Sequence, residues 1–157
     1  MINLIRIDER LLHGQVAYAW TRHLGINCIL VANDQVVNNE LSKISLNLAK
    51  PADVDLIVKN INDSITFLKG NESKELKILV IINNTNDAVK LAENIPEIKE
   101  INIGGMKMRP GKKMLTHSVA VDENDINNIK RLIDMKIEVE ICQVPTEKKK
   151  MLKDLLK

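Results

Sequence analysis

Ile2-Asn3-Leu4-Ile5-Arg6-Ile7-Asp8-Glu9-Arg10-Leu11-Leu12-His13-Gly14-Gln15-Val16 changes its periodicity halfway along. The run Ile2 to Ile7 is short, apolar and free of breakers, which predicts a strand. After His13 the apolar residues Val16, Ala17, Trp20 and Leu24 recur at helical spacing, and Gly25 supplies a stop. His13 therefore falls at or just before the first turn of a helix, beyond the carboxyl end of a strand. In an open α/β sheet that is where ligands bind.

The remaining segments alternate in the way that predicts a mostly parallel sheet. Cys28 to Ala32 reads as a second strand ending at Asn33-Asp34. A helix follows over Asn39 to Ala49, with Leu41, Ile44 and Leu48 as its buried side and Pro51 preventing its continuation. Val54 to Val58 reads as a third strand, Ser64 to Lys69 as a short helix closed by Gly70, and Asn71 to Glu75 as a polar connection. Ile78 to Ile82 is the most apolar run and predicts a central strand buried on both faces. Thr85 or Asn86 caps a helix reaching about Asn94, stopped by Pro96, and Glu100 to Ile103 is a fifth strand followed at once by Gly104-Gly105. Two strand-like pieces flanking Arg109-Pro110-Gly111 predict a hairpin, with Met114 to Val121 as its returning strand. Asp122 caps a helix to about Met135, with Asp125 completing a capping box; Glu138 to Cys142 is the last strand, and Thr146 caps a terminal amphipathic helix through Leu156. The sum is a single α/β domain over residues 1–157, with about seven strands and six helices and no linker or repeat.

Composition narrows the function classes. The 157 residues carry a formal net charge of only +2, and the aromatic residues are Trp20, Tyr18 and Phe67. That balance argues against nucleic-acid binding, either by a general basic surface or by base stacking. Cys28 and Cys142 lie far apart in apolar runs and read as buried free thiols. No cleavable signal is expected at the amino terminus, and no apolar run approaches the roughly 20 residues that span a bilayer. A cytoplasmic protein is expected, with any membrane association made through a partner.

The chemistry open to His13 is narrow. A helix amino terminus offers unpaired N–H groups and a partial positive charge, which disfavour an imidazolium and favour an adjacent anion. A neutral imidazole is a nucleophile, and a phosphoryl group attached to it is an anion, so one geometry suits both accepting and holding that group. Arg10 adds a guanidinium suited to bidentate contact with phosphoryl oxygens. Asp8 either accepts an imidazole N–H and fixes the tautomer or simply pairs with Arg10.

The string Arg6-Ile7-Asp8 through Arg10-Leu11, His13-Gly14-Gln15-Val16 resembles the active-site loop of the IIB components of the mannose-type bacterial sugar phosphotransferase system, the mannose, fructose and sorbose family. Val31-Ala32-Asn33-Asp34, Lys50-Pro51, Asn102-Ile103-Gly104-Gly105-Met106 and Ser118-Val119-Ala120-Val121-Asp122 are similar to segments found in the same order in that family, so the likeness covers nearly the whole chain. Ala52 and Thr85 depart from it, at positions where a proline is common. The resemblance implies an open sheet with one antiparallel edge strand. It implies that His13 carries the phosphoryl group at Nδ1, with Arg10 as the loop arginine and Gly14 and Gln15 beside it. It also implies a IIA domain as donor, membrane IIC and IID components delivering the sugar, and no cofactor.

Several further features need placing. Gly104 and Gly105 either let backbone approach the His13 site or form an ordinary turn; Asn33 and Asp34 either line the same crevice or shape a loop. Gly105 to Lys113 is similar to a phosphate-binding P-loop, but its spacer is one residue too long and Lys113 stands where a magnesium-binding hydroxyl belongs. His23 reads as a helix carboxyl-terminal residue and His117 as a strand or surface residue. The three histidines lack metal-ligand spacing, and no acidic residue stands at i+3 or i+4 from His13. Lys148-Lys149-Lys150 reads as a solvated helix face. The competing function is a non-catalytic α/β module that binds a phosphorylated ligand at the same strand end. A nucleotide-dependent enzyme is a third reading.

Overall fold

The computed structural model describes residues 1–156. Its elements in chain order are β1 (Ile2–Asp8), α1 (Gly14–Leu24), β2 (Cys28–Ala32), α2 (Glu40–Ala49), β3 (Asp55–Lys59), α3 (Ile61–Lys69), β4 (Ile78–Ile82), α4 (Thr85–Asn94), β5 (Glu100–Gly105), β6 (Lys113–Met114), β7 (Ala120–Val121), α5 (Glu123–Asp134), β8 (Glu138–Ile141), β9 (Lys150–Met151) and α6 (Leu152–Leu155). Short 3-10 turns occupy Val36–Asn38 and Glu72–Glu75.

Seven strands form one sheet in the order β3-β2-β4-β1-β5-β8-β9. All neighbours are parallel except β8 and β9, which pair antiparallel through Ile141 with Lys150 and Glu140 with Met151. The expected open α/β sheet with one antiparallel edge strand is therefore present. Strand alternation divides the core into two layers. Ile5, Ile7, Leu30, Ile78, Val80 and Ile82 pack with α3, α4 and α5 on one face, while Leu4, Ile29, Val31, Leu79 and Ile81 pack with Trp20 of α1 and Leu46 of α2 on the other. β4 is buried at all five positions, as its composition predicted. The chain leaves β1 towards α1 on one face and leaves β5 towards α5 on the other. Since β1 and β5 are neighbours, the crevice between their carboxyl ends is a topological switch point.

Four local expectations are corrected. The segment after Thr146 is not one helix: Lys150 and Met151 cover the open edge of β8, and a single turn, α6, buries Leu152 in the core. Pairing an exposed strand edge overrides a local helical pattern. The returning strand from Met114 is interrupted, because Leu115 N–H bonds to Val119 O at 2.8 Å and β6 turns directly into β7. His117 consequently sits on an exposed bend. Asn84, not Thr85 or Asn86, caps α4, its side chain accepting from Asp87 N–H at 2.8 Å; Thr85 turns inward and donates to Asp125 Oδ1 at 2.7 Å. Finally, Leu41, Ile44 and Leu48 of α2 face solvent, and Leu46 is the residue that is buried. The predicted capping box at Asp122 and Asp125 is present.

Candidate functional site

The loop between β1 and α1 is built so that its leucines are buried and its polar residues project. Asp8 carbonyl oxygen accepts from Leu11 N–H at 2.8 Å, closing a tight turn in which Leu11 takes a left-handed φ of 58°. That conformation costs a non-glycine residue about 1–2 kcal/mol. Burial of Leu11 and Leu12 in the layer beneath α1 offsets it. Before and after them, Arg10 and His13 emerge exposed. His13 is the residue preceding the first turn of α1, with extended backbone, and its side chain makes no capping bond. The N–H groups of Gly14, Gln15 and Val16 are thus left without a capping side chain beside an exposed imidazole.

Below the loop lies a buried polar network that the sequence reading did not assemble. Arg6, 2% exposed, donates through Nη1 to Asn102 Oδ1 at 2.5 Å and to the Cys142 carbonyl at 3.1 Å, and through Nη2 to Asp8 Oδ2 at 3.3 Å. Its guanidinium stacks over the Trp20 ring at 5.5 Å, and the Trp20 indole N–H donates to the Gln143 carbonyl at 3.0 Å. Burial pushes the Arg6 pKa down, and the neighbouring Asp8 carboxylate opposes that shift. Asp8 Oδ1 also accepts from the Arg10 backbone N–H at 3.0 Å and Nε at 3.4 Å. Of the two roles open to Asp8, the geometry gives the pairing one: it holds Arg10, and its bonds go to the two arginines rather than to His13.

Gly104 and Gly105 are explained by this network. A Cβ on Gly104 would stand 1.9 Å from Arg6 Nη2, so the absence of a side chain is what lets the guanidinium cross β5. Gly105 passes 3.5 Å from Asp8 Oδ1 by the same measure, and its carbonyl accepts from Glu9 N–H at 3.0 Å. Glu9 in turn ties down the loop after β5, pairing with Arg109 at 2.8 Å and approaching Lys112 at 4.0 Å. Lys112 is also bonded to Asp125 Oδ2 at 3.2 Å. Burial pushes the Asp125 carboxyl up, but bonds from Thr85, the Asp122 backbone and Lys112 outweigh it and hold the group below the usual 3.8.

A recess of about 230 Å³ opens at the switch point, lined by Asp8, Arg10, Gly105, Lys107, His117 and Gln143 among others. His117 Nε2 lies 3.3 Å from Gln143 Oε1. The lining sets two carboxylates, Asp8 and Glu9, against two cations, Arg10 and Lys107, with hydrogen-bonding groups from His117, Ser118 and Gln143; His13 lies outside it, on the loop that Arg10 opens. His117 therefore stands at the site, although nothing in its sequence context marked it. Arg6 did carry a signal, being a charge inside an apolar strand run, the mark of a buried and paired group. A larger groove, about 670 Å³, opens at the opposite end of the sheet near Met1, Leu4, Leu68 and Pro96, away from the strand ends where the polar groups converge.

Other expected site residues lie apart from this recess. Asn33 Oδ1 accepts from Gln35 and Val36 N–H at 3.0 and 2.9 Å, and Asp34 Oδ1 accepts from Ile61 N–H at 2.9 Å, so both shape loops at the end of β2. His23 is exposed at the end of α1, edge-on to Trp20. Cys28 and Cys142 are free and buried, and burial pushes the Cys28 thiol up to about 11. Among the described residues no cluster of His, Cys, Asp and Glu has the form of a metal site, and no helix is long and apolar enough to cross a membrane.

The family described as PTS system sorbose subfamily IIB component matches residues 2–157. The PTS system mannose-specific EIIAB component of Escherichia coli K12 is 33% identical over 156 residues, 99% of this chain and 48% of that protein. The chain thus spans about half the length of the mannose relatives it matches. The sorbose-specific EIIB component of Klebsiella pneumoniae is 30% identical, covering 93% of this chain and 89% of that one. The crystal structure of the IIB domain of the Klebsiella pneumoniae sorbose permease superposes with a TM-score of 0.94 at 28% identity, covering 99% and 96% of the two chains.

Proposed function

This chain belongs to the sorbose subfamily of phosphotransferase-system IIB components, and from that membership we propose that it is a phosphoryl carrier in which His13 accepts a phosphoryl group and passes it to a sugar. The observation that carries the reading is the exposed, uncapped His13 at the head of α1, with Arg10 fixed beside it by the buried Asp8.

In the first transfer a neutral His13 nitrogen forms a bond to phosphorus while the P–N bond to the donor histidine breaks, leaving the electron pair on the donor imidazole. In the second, a sugar hydroxyl oxygen attacks phosphorus, the P–N bond to His13 breaks, and the hydroxyl proton is left for the freed imidazole. Charge in both transition states resides mainly on the transferring phosphoryl oxygens, so positioning and electrostatics dominate. Arg10 supplies a preorganised fork, because its backbone and Nε are both held by Asp8. The N–H groups of Gly14 and Gln15 offer further donors, and Lys107 and His117 line the recess that Arg10 borders. An exposed histidine and a shallow recess suit a partner protein that must bring its own histidine to the phosphorus.

The donor in this reading is a IIA domain, the acceptor a sugar held by membrane IIC and IID components, and the setting the cytoplasmic face of the membrane. The test is intact-protein mass spectrometry after incubation with phosphoenolpyruvate, enzyme I, the phosphocarrier protein and a cognate IIA domain. Wild type gains an acid-labile phosphoryl group and His13→Ala does not. A phosphorylated His13→Ala protein overturns the assignment of the carrier. An unmodified wild type, with IIA itself phosphorylated and bound, replaces the carrier by a non-catalytic phosphoryl-binding module.

A further inference from the structure

Helix α2 presents its more apolar face to water. Leu41, Ile44 and Leu48 are 77%, 55% and 84% exposed, whereas Leu46 is 6% exposed. At 3.6 residues per turn the three exposed residues lie within about 60° of one another, and Leu46 points roughly 170° away. Leu46 belongs to the same core layer as Leu11, Leu12 and Trp20, so the helix joins the layer beneath the His13 loop through its one buried leucine. A contiguous stripe of three large apolar side chains facing solvent marks a surface that a partner covers.

The carboxyl end of α2 comes up against the start of α1, next to His13. The carbonyl of Ala49, the residue after Leu48, lies 3.8 Å from the position a Cβ would take on Gly14. A donor has to bring its phosphohistidine to a few ångströms from His13, at roughly 3–3.5 Å between reacting atoms. A standard footprint of about 800 Å² per partner, centred there, reaches roughly 16 Å in every direction. Leu41 to Leu48 spans only about 10 Å along the helix, so the stripe falls inside that footprint.

Charge separates the two flanks of the site. On α2 the cation Lys43 pairs with Glu40 at 3.4 Å, leaving the stripe without net charge. On the opposite flank Arg109 and Lys112 pair with Glu9 and Asp125, and Lys107 and Lys113 add two further cations, so that flank keeps a net positive charge. A basic flank suits a partner seated in an anionic membrane surface, whereas a neutral apolar flank suits a water-soluble one.

We propose that Leu41, Ile44 and Leu48 form the docking surface for the phosphoryl donor, a folded domain with an apolar groove beside its phosphohistidine. The inference rests on phosphoryl transfer through His13. Its test is steady-state transfer from phosphorylated IIA of the same system to wild type and to the double variant Leu41→Ser/Leu48→Ser. The KM for phosphorylated IIA rises at least tenfold and kcat changes less than twofold, because the His13 loop is untouched. The thermal midpoint stays at the wild-type value, since both side chains already face water. An unchanged KM, with wild type phosphorylated normally, overturns the docking surface and leaves the carrier function standing. Sedimentation equilibrium that finds a wild-type dimer and a monomeric double variant assigns the stripe to a second copy of this chain and overturns it too. Delivery from the phosphorylated variant to sugar in membranes containing IIC and IID, if impaired as much as the donor step, refutes a donor-specific surface. A wild type that takes no phosphoryl group fails at the earlier step, the function itself.

Discussion

Replacing Gly104 with Ala tests the buried network directly. The added methyl would lie 1.9 Å from Arg6 Nη2, 2.2 Å from Cζ and 2.8 Å from Nη1, so the guanidinium must move by about 1.5 Å to reach an ordinary contact. It has no free volume in which to do so, being 2% exposed and held between Asn102, the Cys142 carbonyl, Asp8 and the Trp20 ring. Displacement leaves Asp8, itself 1% exposed, with a weakened partner. Separating a buried ion pair costs about 3–5 kcal/mol, and with a urea slope of about 2 kcal/mol/M the midpoint falls by roughly 1.5–2.5 M. Gly105→Ala is the control: its methyl would meet Asp8 Oδ1 at 3.5 Å, an ordinary contact, and the expected loss is below about 1 kcal/mol. Urea unfolding of the two variants side by side decides the matter. A Gly104→Ala midpoint within about 0.3 M of wild type would show that Arg6 moves at little cost and would refute the argument.

Other consequences are equally open to measurement. Arg10→Ala should slow phosphoryl transfer in rapid-quench experiments by about 100-fold, in line with loss of one preorganised oxyanion donor, with a smaller change in IIA affinity; unchanged rates would make Arg10 structural. Trp20→Phe removes the indole bond to the Gln143 carbonyl and should lower stability by about 1 kcal/mol, read by the same urea titration. The folded-state carboxyl of Asp125 is more acidic than its ordinary 3.8, so its contribution is complete at neutral pH and is lost as the pH falls through and below that value. Asp125→Asn should therefore lower stability at pH 7 and narrow the gap to wild type below about pH 4, and parallel curves would contradict the assigned bonds.

Much of this architecture is legible in the sequence because the strands are unusually apolar. β2 and β4 have the same bounds in the structure as in the reading, since runs such as Ile78-Leu79-Val80-Ile81-Ile82 suit only a strand covered on both faces. The His13 loop is legible for a different reason, namely that a strand period gives way to a helical one on either side of it. What escaped the reading depends on tertiary neighbours. Lys150 and Met151 pair with β8 only because its edge is open, and Arg6 meets Asn102 and Cys142 across separations of 96 and 136 residues. α2 departs from the reading for a physical reason: periodicity locates an apolar stripe but does not say which face of the helix the sheet covers, and here it is the face of Leu46. His117 reaches the recess through a bend that local propensity does not specify.

The central claim is that one imidazole both receives and delivers the phosphoryl group. The most direct measurement is a chase: protein phosphorylated through IIA is freed of donor, mixed with membranes containing IIC and IID and the transported sugar, and both phosphohistidine at His13 and sugar phosphate are followed in time. The account predicts that the His13 signal decays at the rate at which sugar phosphate appears, one for one. Sugar phosphate forming while phosphohistidine at His13 persists would contradict it.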